Sequence, residues 1–227
     1  MGICAALAEV AANSCLGGVF ATLPARPFWH GGQIPIYFLT SAFLSGAAAV
    51  VIFNNFAYKL RGEQMSESVL LAMRSAGKVM ILVLILYAVA TFWRTVSFFV
   101  GGTNLGRTAA ASLINGPLAT NFWIFEVLIG IVIPLILLNL SKLKSVQMMT
   151  VAGLFILLGQ FMGRYDMVVA GQIVPVNLGW DNMPAYFSYV PSLYEFGVVF
   201  GGLGLVCVGF ILGERFFGKV FTQKDHH

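Results

Sequence analysis

Six long apolar runs, near 2–22, 34–56, 79–101, 119–141, 148–170 and 192–216, leave this chain very few ways to fold. Each is long enough to cross roughly 30 Å of hydrocarbon as a helix. Inside lipid, a backbone outside a closed barrel must satisfy its own hydrogen bonds, which only the helix does. The 227 residues are 59% hydrophobic and 10% charged, against roughly 25% charged in a water-soluble domain. The expected fold is therefore all-α: a polytopic bundle of about six transmembrane helices forming a single membrane domain over 1–227. No water-soluble domain is read anywhere in the sequence. The first run lacks a Lys or Arg ahead of its apolar residues and carries Glu9 and Asn13 in its middle, so it is read as a helix rather than a signal peptide.

Lys and Arg set the orientation. Lys59, Arg61, Arg74, Lys78, Lys142, Lys144, Arg215, Lys219 and Lys224 fall on one side, and only Arg26 and Arg107 on the other. Nine against two places both termini in the cytoplasm. The same bias accounts for the net charge of +4 without a nucleic acid. Between the second and third runs, 63–77 puts Met65, Val69, Leu70 and Met73 on one side and reads as an amphipathic helix lying on the cytoplasmic surface.

Five ionisable residues, Glu9, Arg94, Glu126, Arg164 and Asp166, lie inside these apolar runs. Intramembrane charges are costly, usually face the bundle interior, and often mark an ion, proton or ligand site. With the orientation above, Arg94, Glu126, Arg164, Asp166 and Glu195 form a layer toward the outer face, with Arg26, His30 and Asp181 in the outer loops. Glu9 and Asn13 lie deeper and share a face. Arg164 and Asp166, two residues apart, point away from each other and require different partners. Glu126 and Glu195 are the candidate partners of the arginines, and charge pairing that fixes helix packing is one reading of the layer.

Gly159 with Gly163, and Gly197 with Gly201, have small-xxx-small spacing that allows close helix approach. Pro134 is expected to kink the fourth run. Trp29, Trp180, Tyr186, Phe187 and Tyr189 read as an interfacial belt. Cys4, Cys15 and Cys207 form no CxxC or CxxCH pattern and read as small packing residues. His226 and His227 end the chain, leaving His30, which sits in a loop. A haem held between two intramembrane histidines is excluded, and no iron–sulfur cluster or metal is expected from this chain alone.

Particular strings carry a resemblance. They are Ala25-Arg26-Pro27-Phe28-Trp29-His30 followed by Pro35 and Ser41–Gly46; Phe122-Trp123 with Glu126, Gly130 and Pro134; Arg164-Tyr165-Asp166 with Gly171-Gln172; and Tyr189-Val190-Pro191-Ser192 with Glu195. In this order they resemble the NrfD/PsrC family, the polysulfide-reductase-type membrane subunits. The resemblance implies a haem-free, quinone-interacting subunit, with menaquinone a candidate cofactor, alongside an iron–sulfur partner often outside the cytoplasmic membrane. The chain looks like a shortened member, lacking N-terminal helices that longer members contribute to the quinone pocket. Its size and first helix are most similar to the small integral-membrane E subunits of high-molecular-weight cytochrome c complexes of sulfate-reducing bacteria. That likeness implies a periplasmic multihaem cytochrome c and a longer homologous membrane subunit as partners. Longer relatives carry a His where Asn13 stands.

Two readings of function follow. In the first, the chain handles a quinone toward the periplasmic side of a bacterial cytoplasmic membrane, in a respiratory electron-transfer complex. His30, Glu126, Arg164 and Asp166 would supply hydrogen bonds and proton exchange, with Arg94 and Glu195 pairing charges. Glu9 and Asn13 would extend a proton route inward, although Glu9 can equally be a protonated packing residue. In the second, the chain is a structural membrane anchor without bound quinone, the chemistry belonging to the longer homologous subunit. A solute transporter is a weaker third, since no inverted repeat or paired broken helices are visible.

Overall fold

In the computed structural model, residues 2–177 and 182–222 are described, and every regular element among them is a helix. The elements are α1 (Gly2–Ala21), α2 (Gln33–Arg61), α3 (Glu67–Gly101), α4 (Asn104–Ile114), α5 (Asn121–Leu140), α6 (Val146–Ile173) and α7 (Leu193–Thr222). Parts of α2, α3, α5, α6 and α7 are long and apolar enough to cross a membrane, and α1 contributes the shorter apolar stretch Leu7–Ala21. The protein is a multi-pass integral membrane helix bundle. Two compact units are distinguished, one ending at Phe187 and one beginning at Ser188.

In the first unit α2 and α6 occupy the middle. α2 packs against α1, α3 and α6, whereas α6 packs against α2, α4 and α5. Most buried residues of α2 (Ile34, Tyr37, Ser41, Leu44, Ala48, Val51 and Asn55, with Phe38 and Ala57 beside the stripe) alternate spacings of three and four, as do those of α3 (Met73, Gly77, Met80, Leu84, Tyr87, Thr91 and Arg94, with Thr95 beside it). This is the seam of close, nearly aligned helices. Lipid-facing residues such as Leu82, Val89 and Phe92 are as apolar as the seam. Small and polar side chains therefore distinguish the interior, as expected where lipid and core do not differ in hydrophobicity.

The segment 63–77 does not form a separate surface helix. From Glu67 onward it is the start of α3, which runs unbroken for 35 residues, about 52 Å at 1.5 Å per residue. Gly77, the one helix-weakening residue in this stretch, has a packing role. A Cβ there would come 2.7 Å from Leu143 Cδ2 and 3.0 Å from Met149 Sδ, so the turn before α6 fits against a continuous helix. α2 ends at Gly62, whose φ of 67° is the left-handed cap conformation that glycine adopts without strain.

α5 buries Phe122, Glu126, Gly130, Pro134 and Leu138, a strict four-residue repeat. In a regular α-helix that repeat drifts about 40° per step. Here Asn121–Val132 is wound as a π-helix, and the Ile133 N–H still donates to the Leu128 carbonyl five residues back. Wider winding keeps the stripe on one side, and π-turns often mark functional positions. α5 meets α6 at Gly130 and Gly159, where a Cβ on Gly159 would overlap the Gly130 Cα. Gly197 and Gly201, by contrast, have nothing packed on them within the second unit.

Trp29 departs from the interfacial belt. It is buried, its indole N–H donates to the Met167 carbonyl at 2.9 Å, and Gly171 leaves the space its ring fills. Cys4, Cys15 and Cys207 are exposed thiols rather than packing residues. Trp180, Asp181, Lys224, His226 and His227 lie outside the described residues. Gly159→Ala is expected to force α5 and α6 apart at a cost of about 1–3 kcal/mol. Thermal unfolding in detergent should show that loss, and Gly18→Ala, with nothing within 4 Å, should leave the transition where it is or raise it slightly, alanine being the better helix former.

Candidate functional site

Four side chains from three helices converge in the first unit. Tyr87 and Arg94, two turns apart on α3, share its buried seam, with Tyr37 supplied by α2 and Glu126 by the π-wound part of α5. The Tyr37 and Tyr87 hydroxyls lie 2.8 Å apart, and both donate to Glu126 Oε1, at 3.3 and 2.8 Å. Arg94 Nη2 stands 3.8 Å from the same oxygen, an ion pair beyond hydrogen-bond length. The guanidinium lies over the Tyr37 ring at 4.2 Å and 5.8 Å from the centre of the Phe28 ring. Gly163 of α6 makes the room: a Cβ there would meet both tyrosine hydroxyls and the Glu126 carboxyl within 3.0 Å.

The network is buried yet incompletely satisfied. Arg94 is 1% exposed and Glu126 0%, but none of the three Arg94 nitrogens and not Glu126 Oε2 has a hydrogen-bond partner. The same holds for both carboxylate oxygens of Asp166, both amide atoms of Gln160 and the Thr91 hydroxyl. Asn121 approaches Asp166 without completing a hydrogen bond. Nearly all buried polar groups in proteins are paired, so such a concentration of orphans points to water or a ligand as the missing partner.

The remaining residues singled out from sequence are dispersed. His30 is exposed on the wall of a cavity of about 340 Å³, shared with Gln33, Ile34, Ser97, Phe98 and Thr103. The Ser97 hydroxyl donates to Gln33 Oε1 at 3.0 Å. Phe98 packs with its ring tilted, centroids 4.9 Å apart, against Phe28, the ring that also faces Arg94, so this aromatic pair lies between the cavity and the buried network. Arg164 points away from Asp166. Its Nε donates to Ser41 Oγ at 3.2 Å, its guanidinium lies 5.5 Å from the Phe38 ring, and no carboxylate among the described residues pairs with it. Glu9 and Asn13 stand apart on α1, the Asn13 amide donating to the Glu9 carbonyl and carboxylate at 3.0 and 3.1 Å. In the second unit Glu195 accepts from the Tyr189 hydroxyl and the Ser192 N–H, while Ser192 Oγ accepts from the Glu195 N–H. This reciprocal box starts α7.

Several working residues escaped the sequence reading. Tyr37 and Tyr87 are unremarkable in an apolar run; the signal was their placement, four residues before Ser41 and seven before Arg94. Gln160, one turn before Arg164 on α6, is a lone amide in an otherwise apolar run. Arg26 stands at the C-terminal end of α6, where its Nη1 donates to the carbonyls of Gly171 and Val174 at 3.1 and 3.0 Å and, more weakly, to Gln172. Helix C-terminal carbonyls favour such a cation.

Residues 1–177 match the family described as polysulphide reductase, NrfD. The C subunit of the selenate reductase of Mesobacillus selenatarsenatis is 25% identical over all of this chain and 53% of its own length. An Hdr-like menaquinol oxidoreductase integral membrane subunit of Archaeoglobus fulgidus is 23% identical over 93% of this chain and 55% of its own. The chain thus spans about half the length of these curated relatives. Removing one member of the buried pair should be costly: Glu126→Gln or Arg94→Met alone is expected to cost about 3–5 kcal/mol, because the partner is left uncompensated. In the double variant Arg94→Met/Glu126→Gln most of that loss should return, as read from thermal unfolding in detergent.

Proposed function

The chain belongs to the polysulphide reductase NrfD family, and from that premise we propose that it is a haem-free, quinone-handling membrane subunit of a respiratory electron-transfer complex. The observation that carries this reading is the concentration of unpaired buried polar atoms on Arg94, Glu126, Asp166 and Gln160, next to a cavity walled by His30, Gln33 and Ser97. Those residues fit a quinone: donors for its carbonyls at the cavity, and carboxylates behind it that can hold a proton. When bound, the quinone supplies the paired electron and proton transfer that no side chain of this chain provides. His30, Gln33 and Ser97 would bind and orient the head group. Glu126 and Asp166 would take up or release protons, with Tyr37, Tyr87 and Arg94 fixing the Glu126 carboxylate. Arg164, with no carboxylate partner among the described residues, adds positive potential to the layer. Electrons would come from partners, for which a periplasmic iron–sulfur protein, a multihaem cytochrome c and a longer homologous membrane subunit are proposed. The proposed setting is a bacterial cytoplasmic membrane, with the site toward the periplasmic face.

One observation favours the alternative of a structural anchor without quinone. The Arg94–Glu126–tyrosine network is sealed from solvent, and His30, Arg164 and Glu9 do not join it. Titration of a fluorescent quinol-site inhibitor into the purified chain separates the two readings. Saturable binding, weakened roughly tenfold by His30→Ala, is expected, corresponding to loss of one hydrogen bond of about 1.4 kcal/mol. Absence of saturable binding both to the chain and to its assembled complex would leave the anchor. Binding that is indifferent to His30→Ala but lost on Asn13→Leu would move the site to the Glu9–Asn13 face of α1.

A further inference from the structure

α1 is held against α2 most closely around Gly17. Gly17 is its one buried residue among those described, set so close to α2 that a Cβ would lie 2.6 Å from the Pro35 Cα. Phe20 adds a stack on Phe38 at 5.6 Å and an edge contact with Trp29 at 5.5 Å. Beside Glu9 and Asn13 an open groove of about 260 Å³ lies between α1 and α2, its walls including also Phe43, Gly46 and Val79. Glu9 is exposed there, about 10 Å from the start of α1 and about 18 Å from its end at 1.5 Å per residue. Its one side-chain partner among the described residues is Asn13, from its own helix. Around it Leu7, Leu16 and Val19 are exposed apolar residues of the same helix, and Phe43 is half exposed across the groove.

Glu9 lies within the apolar stretch Leu7–Ala21, and a carboxyl group there is not left to lipid tails, where polar groups are costly and normally paired. Nothing among the described residues offers it a cation. Gly46, with no atom within 4 Å of where a Cβ would stand, leaves the groove floor open to close approach by another backbone, the arrangement by which membrane helices associate. We propose that the α1–α2 groove is the docking surface for a transmembrane helix of another subunit, which brings a Lys or Arg side chain to Glu9. Charge complementarity selects this occupant: a wholly apolar helix or a lipid tail would fill the groove and leave the carboxyl unanswered. The proposal does not depend on the quinone reading.

The test uses the purified chain in liposomes and three labelled synthetic Leu/Ala transmembrane peptides, alike except for a central Lys, Leu or Glu. Energy transfer reports association. The Lys peptide is expected to bind at least tenfold more tightly than the Leu peptide, and the Glu peptide no better than the Leu peptide. Glu9→Leu should abolish the Lys preference, and Gly46→Leu should weaken all binding by filling the groove. Both positions are exposed, so far-ultraviolet circular dichroism should be unchanged in either variant. Equal binding of the Lys and Leu peptides, or a Lys preference that survives Glu9→Leu, overturns the proposal. So does Glu9-dependent self-association of the chain that excludes the peptide, which would make a second copy the occupant. Displacement of the peptide by stoichiometric menaquinone would assign the groove to a quinone instead.

Discussion

The first unit is organised around a single carboxylate oxygen. Glu126 Oε1 receives two tyrosine hydroxyls and faces the Arg94 guanidinium, so α2, α3 and α5 are tied at one point. Lipid gives little help here, because tails solvate leucine as well as a helix interface does. Polar contacts that have no substitute in hydrocarbon therefore fix which helices meet and in what register. α6 participates by omission: Gly163 presents no side chain, and the carboxylate and hydroxyls occupy the space.

The same oxygen explains the winding of α5. Glu126 must face the α2–α3 seam, Gly130 must face Gly159, and Pro134 and Leu138 must stay inside. A regular α-helix would rotate these four-spaced residues progressively off the contact. π-winding over Asn121–Val132 keeps them aligned and leaves Trp123 facing outward, where its indole donates to the Ile114 carbonyl. Glycine at 130 and 159 then lets the wider helix approach α6 without displacing it.

The long apolar runs announced the helices, and the intramembrane charges announced that the interior is polar. What composition could not show was which face of each helix is buried, because seam and lipid face are equally apolar, as Leu84 and Leu82 of α3 illustrate. Tyr37 and Tyr87 were hidden for the same reason. Trp29 misled because an indole near a chain connection usually sits at the interface, yet Gly171 and the Met167 carbonyl form a fitted site for it. The continuity of α3 through Gly77 depended on Leu143 and Met149, residues far away in sequence that no local pattern connects to it. Arg164 and Asp166, neighbours in one string, were correctly separated by helical spacing, but the choice of Ser41 over a carboxylate required the fold.

Arg26 has a mechanical consequence. Its guanidinium grips the carbonyls of Gly171 and Val174 from the short connection that also carries Phe28, Trp29 and His30. That connection therefore acts as a strut between the mouth of the His30 cavity and the end of the helix bearing Gly163 and Asp166. A displacement of this loop would therefore be felt at the end of α6, two turns from Gly163 and one from Asp166.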